Sequence, residues 1–591
     1  MKNLFKKDGM ELGNVNPAFQ NDFGQTDNQK PVNGVTTVAA QVDKVGAVEA
    51  GEEEDGPKRQ QWSNGIEFLM SCIAMSVGLG NIWRFPYTAF NNGGGAFLIP
   101  YIIVLLVIGK PLYYMEMSLG QFISGGPIKV WNLSPALKDF PNSKSLFLLY
   151  SKTVLKEADN LDDGIGVPDW KLTLCLLFAW VTIFLVIIKG VKSSGKAAYF
   201  LALFPYVVMI TLLIRGATLP GAVDGILYFV KPKWEELLNP TVWYNAVTQA
   251  FFSLNICFGT LVMYSSYNDF HHNVYRDALI VTTLDTFTSL LAGCTIFSIL
   301  GNLMHELDIK DSNIKDVVQG GTGLAFVSYP DAIAKFDVVP QFFSVVFFLM
   351  LYTLGIGSAV ALAGAVITII CDRFPNLKYW TVALGTCICG FLVGLVYITP
   401  GGQYVLTLVD FYGANFTVFI LGTIEMVGIA WIYGFDNLCS DLEFMLKRKA
   451  GPYWRLCWGI ITPVLMIVIL VYAMVIMEPE KYKDQFFPDS AYAGGWVLFA
   501  FGVLQFPLWA GVAIYRNIHH GLLKAIKISF QPSEEWRPVS NKISREWKAF
   551  RDERQAELDH ITRENIWQKF VRLFFGRITA RSTANGVANG Y

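Results

Sequence analysis

A chain of 591 residues that is 53% hydrophobic, 14% aromatic and only 16% charged does not fit a set of soluble domains, which carry roughly 25% charge. Its 44 Phe, 25 Tyr, 16 Trp and 52 Gly, at a mean hydropathy of +0.39, present more apolar surface than separate cores can hide. With a net charge of -1 there is no pull toward polyanions, so nucleic-acid-binding, disordered and collagenous classes are excluded and a polytopic membrane protein is predicted.

Residues 1–60 are polar, carry the acidic run Glu52, Glu53, Glu54 and Asp55, and lack the basic-then-apolar start of a signal peptide. They read as a disordered cytoplasmic tail. A membrane bundle over 61–516 follows. Apolar runs that meet the bilayer requirement of ~20 residues fall near 66–90, 97–120, 170–188, 198–215, 243–267, 277–301, 340–370, 379–399, 404–433, 454–477 and 494–515. The stretch 302–339, with Gly320, Gly321 and Gly323, reads as an extracellular polar loop holding short helices. Residues 517–591 read as a charged cytoplasmic tail with an amphipathic helix around Ile543–Ile566. The nine cysteines lie in or beside apolar runs, and Cys387-x-Cys389 is too close for a zinc pair, so they read as small buried hydrophobes.

Charge parity then exposes a deficit. Counting back from Arg516, Lys524, Lys527 and Arg537, the positive-inside rule puts Lys447–Lys449, Arg373, Lys378, His271, His272, Arg276, Lys189, Lys192 and Lys196 in the cytoplasm. Counting forward from Lys58 and Arg59, residue 121 is also cytoplasmic, so 121–169 must begin inside and end outside. Its best apolar run, Leu146–Tyr150, is too short to cross. The pattern calls for twelve spans and the sequence supplies eleven.

Two spans are interrupted. The first contains Val77-Gly-Leu-Gly-Asn-Ile-Trp-Arg-Phe-Pro86, and the fifth run contains Gln249-Ala-Phe-Phe-Ser-Leu-Asn-Ile-Cys-Phe-Gly259, then Tyr264-Ser-Ser-Tyr267. Gly and Pro serve as packing notches in membrane helices. Asn81 and Arg84 at depth, however, are costly unless they face a cavity, and freed backbone groups are tolerated only where they line a site. With one span absent before it, the fifth run takes sixth place, and broken first and sixth helices mark an inverted five-helix repeat.

These motifs, with Gly93-Gly-Gly-Ala-Phe-Leu-Ile-Pro-Tyr101 and Phe252-Ser-Leu-Asn255, resemble the neurotransmitter:sodium symporter family over about 59–520. Gly355-Ile-Gly-Ser358 and Pro168-Asp-Trp170 resemble its insect nutrient amino acid transporter branch. The resemblance implies an all-α, LeuT-like fold of twelve spans, with discontinuous helices 1 and 6, that carries small amino acids or amines with sodium and often chloride across the plasma membrane. Both termini are then cytoplasmic. It places the missing helix at the third span, near Lys138, where a splice variant would lose it.

Residue by residue, the resemblance implies a first sodium site of Ser76, Asn81, Ser253 and Asp285, and a second of Ala74, Val77, Leu354, Gly357 and Ser358. Gly357 stands where relatives have Thr or Asp. A buried Asp285 needs a cation or a proton. The chloride site would be Tyr101, Gln249, Ser253 and Ser289, with Asp285 one helical turn from Ser289. Gly78 leaves room for a free carboxylate on the N–H groups of Leu79 and Gly80, so the substrate reads as a zwitterionic amino acid. Ser76, Phe252, Ser253, Asn255, Phe258, Ser358 and Leu362 would line its pocket. Arg84 with Asp410, above Phe258, would form the outer gate, and Arg59 with Asp372, Trp62 and Tyr267 the inner one. Glu116 reads as an acceptor bracing the first helix break.

Weaker motifs remain. Asn132-Leu-Ser134 precedes Pro on the inside, Asn415-Phe-Thr417 lies within a span, and His271-His272 reads as a solvated turn. There is no Walker loop, GxSxG or HExxH, so no enzyme is implied. Two functions stay open: sodium-coupled amino acid symport, or a non-transporting variant that associates with copies of itself or with full-length partners.

Overall fold

A computed structural model describes residues 59–131, 165–307, 329, 333, 339–476, 479, 481–482 and 485–560. The expectations for the N-terminal tail, for 132–164, for most of the loop 302–339 and for 561–591 lie outside these residues.

The chain enters its first helix, α1 (Gly65–Ser76), through a side-chain cap. The Asn64 oxygen accepts from Glu67 N at 2.8 Å, and Glu67 reaches back to Ser63 N at 3.2 Å, satisfying two N–H groups the helix start leaves free. After the break come a π-helical turn, Gly80–Arg84, and α2 (Phe85–Asn91). Next are α3 (Gly95–Ile123), the turn Pro127–Val130, α4 (Trp170–Ile187), α5 (Val191–Ala217) and α6 (Ala222–Val230). The second broken element is α7 (Pro240–Leu254) with α8 (Thr260–Ser265), followed by α9 (Val274–Leu307) and α10 (Pro340–Arg373). Then come α11 (Tyr379–Tyr397), α12 (Gly402–Leu446), α13 (Pro452–Val475) and α14 (Asp489–Arg516). A two-residue ribbon pairs Lys481 with Phe486 before α14.

Among the described residues, nine helices are long and apolar enough to cross a bilayer. Gly65–Ser76 with Gly80–Asn91, bent by 54°, makes up to ten. The expected eleven is therefore not matched. The shortfall lies at run 243–267, which folds as α7 and α8, each too short to cross alone.

Burial follows position in the bundle. About 61% of the apolar window of α3 and of α10 is inside the protein, against 11% for α4 and 6% for α14, whose remaining surface is left for lipid. Tight approaches fix the center. A Cβ on Gly95 would collide with the Val230 carbonyl, so only glycine lets α3 start against the end of α6. The broken α1 packs among α5, α9 and α10, with α8 beside it.

The C-terminal segment packs against the bundle where it is described. Beyond α14, α15 (Leu522–Ser529) and α16 (Asn541–His560) form, and Trp536 and Trp547 are buried against Phe122 at ring separations of 5.0 and 5.8 Å. Both indole N–H groups reach Asp441, Trp547 at 2.9 Å and Trp536 at 3.4 Å. Buried carboxylates need donors, and these two anchor the segment.

Candidate functional site

The two helix breaks face each other, and side chains repair what the backbone loses. Where α1 ends, the Met75 carbonyl lacks a helical partner. It accepts from Asn255 Nδ2 at 2.9 Å and from Ser358 Oγ at 3.2 Å, tying both breaks to α10. Gly78 N donates to Asn81 Oδ1 at 3.0 Å. At the second break Asn255 (φ 52°), Cys257 (φ 67°) and Gly259 (φ 71°) take left-handed conformations, which cost a non-glycine residue roughly 1–2 kcal/mol. Glu116 holds Cys257 N at 2.6 Å. Glu116 thus braces the second break rather than the first, because α3 runs alongside α8.

Asp285, fully buried on α9, is the charge of the site. Its Oδ1 accepts from Ser253 Oγ at 2.7 Å and from Asn81 Nδ2 at 2.8 Å. Asn81 Nδ2 also lies 2.9 Å from Ser253 Oγ and 3.0 Å from Ser289 Oγ. The other carboxylate oxygen, Oδ2, has no hydrogen-bond partner among the described residues, nor do Ser76 Oγ, the Tyr101 hydroxyl and both Gln249 amide atoms. A buried polar atom left unpaired costs about 1–3 kcal/mol, more for a charge. Unpaired atoms of this kind mark places built for something other than protein.

The structure brings Ser76, Gly78, Leu79, Gly80, Asn81, Ser253, Asn255, Asp285, Ser289 and Ser358 around the breaks. Gly78 lies where a Cβ would stand 3.0 Å from Ser358 Oγ, so the fold keeps this approach open. Ala74 and Gly357 touch directly: a Cβ on Gly357 would lie 2.5 Å from the Ala74 carbonyl. The absence of a side chain there is thus a packing requirement, and Val77 and Leu354 are both buried. Leu362 departs from expectation. One helical turn beyond Ser358, it lines a lipid-facing groove with α4 and α11 instead of the space beside Phe252 and Phe258.

The side chains expected at the two gates are engaged with one another or through a neighbor. Inside, Arg59 bonds both Asp372 oxygens at 3.0 and 3.2 Å and stacks over Tyr267 at 4.5 Å. Trp62 N donates to the Tyr267 carbonyl at 3.2 Å, its indole to the Tyr264 carbonyl at 3.0 Å, and Tyr267 bonds Thr368 at 2.9 Å. Burial lowers the Arg59 pKa, but Tyr267 and Asp372 outweigh it and hold it above the usual value, so the guanidinium stays charged at any physiological pH. Outside, Arg84 and Asp410 meet through Asn415 and not directly. Arg84 donates to the Asn415 oxygen at 3.2 Å, and the Asn415 amide donates to Asp410 at 3.2 Å. The guanidinium sits 3.9 Å over Phe252, whose ring lies 6.1 Å from Phe258. The void these rings share with Asn415 is about 10 Å³, too small for any solute beyond a water.

Sequence reasoning missed Met75, Asn415 and Glu425. Glu425 on α12 approaches Glu116 and Cys257 within 4.8 Å around a void of about 30 Å³. A lone acid inside an apolar span was the available signal. The histidine pair is also tied down: His271 bonds the Met445 carbonyl at 2.7 Å, and His272 bonds the buried Asp277 at 2.6 Å.

Freed backbone groups that meet in the middle of a bundle, sealed by side chains above and below, suit a membrane carrier with alternating access. Sequence comparison specifies which kind. Residues 59–151 and 142–517 match the sodium:neurotransmitter symporter family. The chain is 50% identical over 632 residues to sodium-dependent nutrient amino acid transporter 1 of Drosophila erecta, covering 93% of this chain and 96% of the relative. It is 51% identical to the proteins of the same description from Drosophila persimilis, over 580 residues (85% and 89%), and Drosophila melanogaster, over 587 residues (85% and 91%). The chain belongs to the sodium:neurotransmitter symporter family, and is a transporter and not an enzyme.

Proposed function

We propose that this chain descends from a plasma-membrane symporter that moves neutral amino acids inward with sodium, both termini facing the cytoplasm. The unpaired Oδ2 of buried Asp285, within a shell of hydroxyl and amide groups, carries the reading. Sodium as co-substrate would bind Oδ2 with Ser253, the Ser76 carbonyl and the Asn81 oxygen, once the Asn81 amide turns over from its present bond to Gly78. The substrate carboxylate would reach the same ion and the N–H groups of Leu79 and Gly80, with Phe252, Asn255, Phe258 and Ser358 around its side chain. A second sodium would use the carbonyls of Ala74, Val77 and Leu354 and the Ser358 hydroxyl, Gly357 adding no ligand. The place of chloride in relatives, at Tyr101, Gln249, Ser253 and Ser289, stands beside Asp285, whose negative charge would lower any requirement for it. One sodium entering through 100 mV supplies about 2.3 kcal/mol, roughly a fiftyfold accumulation of solute.

A second reading, in which this chain lacks a third span and does not transport, has specific support. The family match divides into two stretches meeting at 142–151, and the 632-residue alignment is longer than the whole chain. The groove beside Leu362 is also open. Uptake of labelled neutral amino acids, with sodium replaced by choline as control and surface delivery measured in parallel, separates the two. Flat uptake by surface-delivered protein that still melts higher in sodium selects the second reading; sodium-dependent uptake selects the first.

A further inference from the structure

We infer that the groove between α4, α10 and α11 is a docking site for one apolar membrane-spanning helix supplied by another polypeptide. This rests on the reading that a span is absent from the chain. The groove measures about 1240 Å³ and runs from Leu377, just before α11, to Ile398 at its end. At 19 residues α11 is ~28 Å long, the thickness of the hydrocarbon core. Its walls are apolar: Phe178 from α4, Ala363 from α10, Gly385 and Cys389 from α11.

The chain itself marks the lane. Gly126 N bonds Asp372 at 2.8 Å, so the turn leading to Trp131 sits where α10 ends and α11 begins. Ile165 re-enters at the opposite end of α11, its carbonyl accepting from Gly401 N at 2.9 Å. The segment joining these points carries Lys138, Asp139, Lys144, Lys152, Lys156, Glu157, Asp159, Asp162 and Asp163. Charges of that number do not suit an apolar groove in lipid. A helix ~10 Å across and ~28 Å long occupies roughly 2200 Å³, so the groove takes about its buried half. Small residues at the wall allow such close approach. The Drosophila erecta relative, whose alignment outruns this chain, carries residues with no counterpart here.

Cys175 and Cys389 are exposed, free and line the groove, so they report its occupant. The full chain is co-expressed with the stretch of the Drosophila erecta relative that it lacks, made as a separate membrane peptide with one cysteine moved along it, and then oxidised. Disulfide yield through Cys389 or Cys175 should rise and fall every 3.6 positions and exceed that of a polyleucine helix about tenfold. Gly385→Trp should cut the yield about tenfold at an unchanged melting temperature, since a Cβ there meets nothing within 4 Å. Equal yields from the two helices, as for lipid-like cover, overturn the proposal. So do yields indifferent to Gly385→Trp, or links between two copies of this chain that displace the peptide. The readout is a covalent bond, so flat uptake leaves it standing and it fails only on its own terms.

Discussion

Replacing Asp285 by Asn tests the charge logic of the site directly. In the structure the carboxylate accepts from Asn81 and Ser253 through Oδ1 and leaves Oδ2 unpaired. The amide keeps the shape and removes one negative charge. Sodium then loses its one anionic protein ligand in this shell, and hydrogen bonds to charged groups, worth about 1.5–3 kcal/mol, set the scale: sodium affinity should fall roughly 10- to 150-fold. The reciprocal effect is on chloride. Ser289 follows Asp285 by one turn of α9 and bonds the same Asn81 amide at 3.0 Å, so an anion held there sits ~6 Å from the carboxylate. At an effective dielectric of ~20 that repulsion is about 3 kcal/mol, or roughly a hundredfold in anion affinity. The wild-type protein should therefore gain the same melting-temperature rise from sodium gluconate as from sodium chloride, and Asp285→Asn should gain it only from the chloride salt. A wild-type rise that vanishes in gluconate, or an Asn variant indifferent to chloride, refutes the reasoning.

The other expectations are simpler. Asp372→Asn removes the charge that Arg59 grips at 3.0 Å, and a cysteine at Tyr264 should then be alkylated from the cytoplasm about tenfold faster; an unchanged rate rejects Arg59–Asp372 as the inner closure. Glu116→Gln exchanges the carboxyl acceptor on Cys257 N for an amide oxygen and should lower stability by about 1 kcal/mol in a melting assay, with Glu116→Ala lower still. Equal melting of all three proteins rejects the bracing role. Gly357→Thr adds a hydroxyl but drives a Cβ to 2.5 Å from the Ala74 carbonyl, so it should cost about 1–3 kcal/mol and add no sodium dependence. A rise in sodium-induced stabilisation would show that α10 gives way there.

Much of this architecture was legible because lipid forces it. Apolar runs and helix-breaking residues announce themselves, so both breaks, the buried Asp285 and the Arg59–Asp372 pairing were placed from sequence. What escaped reading depends on neighbors far apart in the chain. Asn415 intervenes between Arg84 and Asp410 because it stands five residues after Asp410 on a wound turn, which no motif records. Leu362 turned to the groove because its face depends on what packs against α10, and the helix next to it is decided 170 residues earlier. The span count failed for a related reason: α7 and α8 together form a long apolar run, but the run is not one helix. Trp536 and Trp547 lie in a polar stretch, where hydropathy gives no hint that their rings are buried.

Those two tryptophans bear on the order in which the molecule is completed. Synthesis proceeds from the N-terminus, so α3, with Phe122 at its end, and α12, with Asp441, are in place long before residue 547 leaves the ribosome. Until then the Asp441 carboxylate has Tyr433 of its own helix as donor, and the two indole N–H groups and the ring cover on Phe122 arrive only with α16 and the turn before it. The last-made part of the described chain therefore closes the surface left by an early-made part. A reporter fused after His560 leaves that closure intact, whereas one inserted before Ser540 separates Trp536 from Trp547 and catches the protein with the face around Asp441 unfinished.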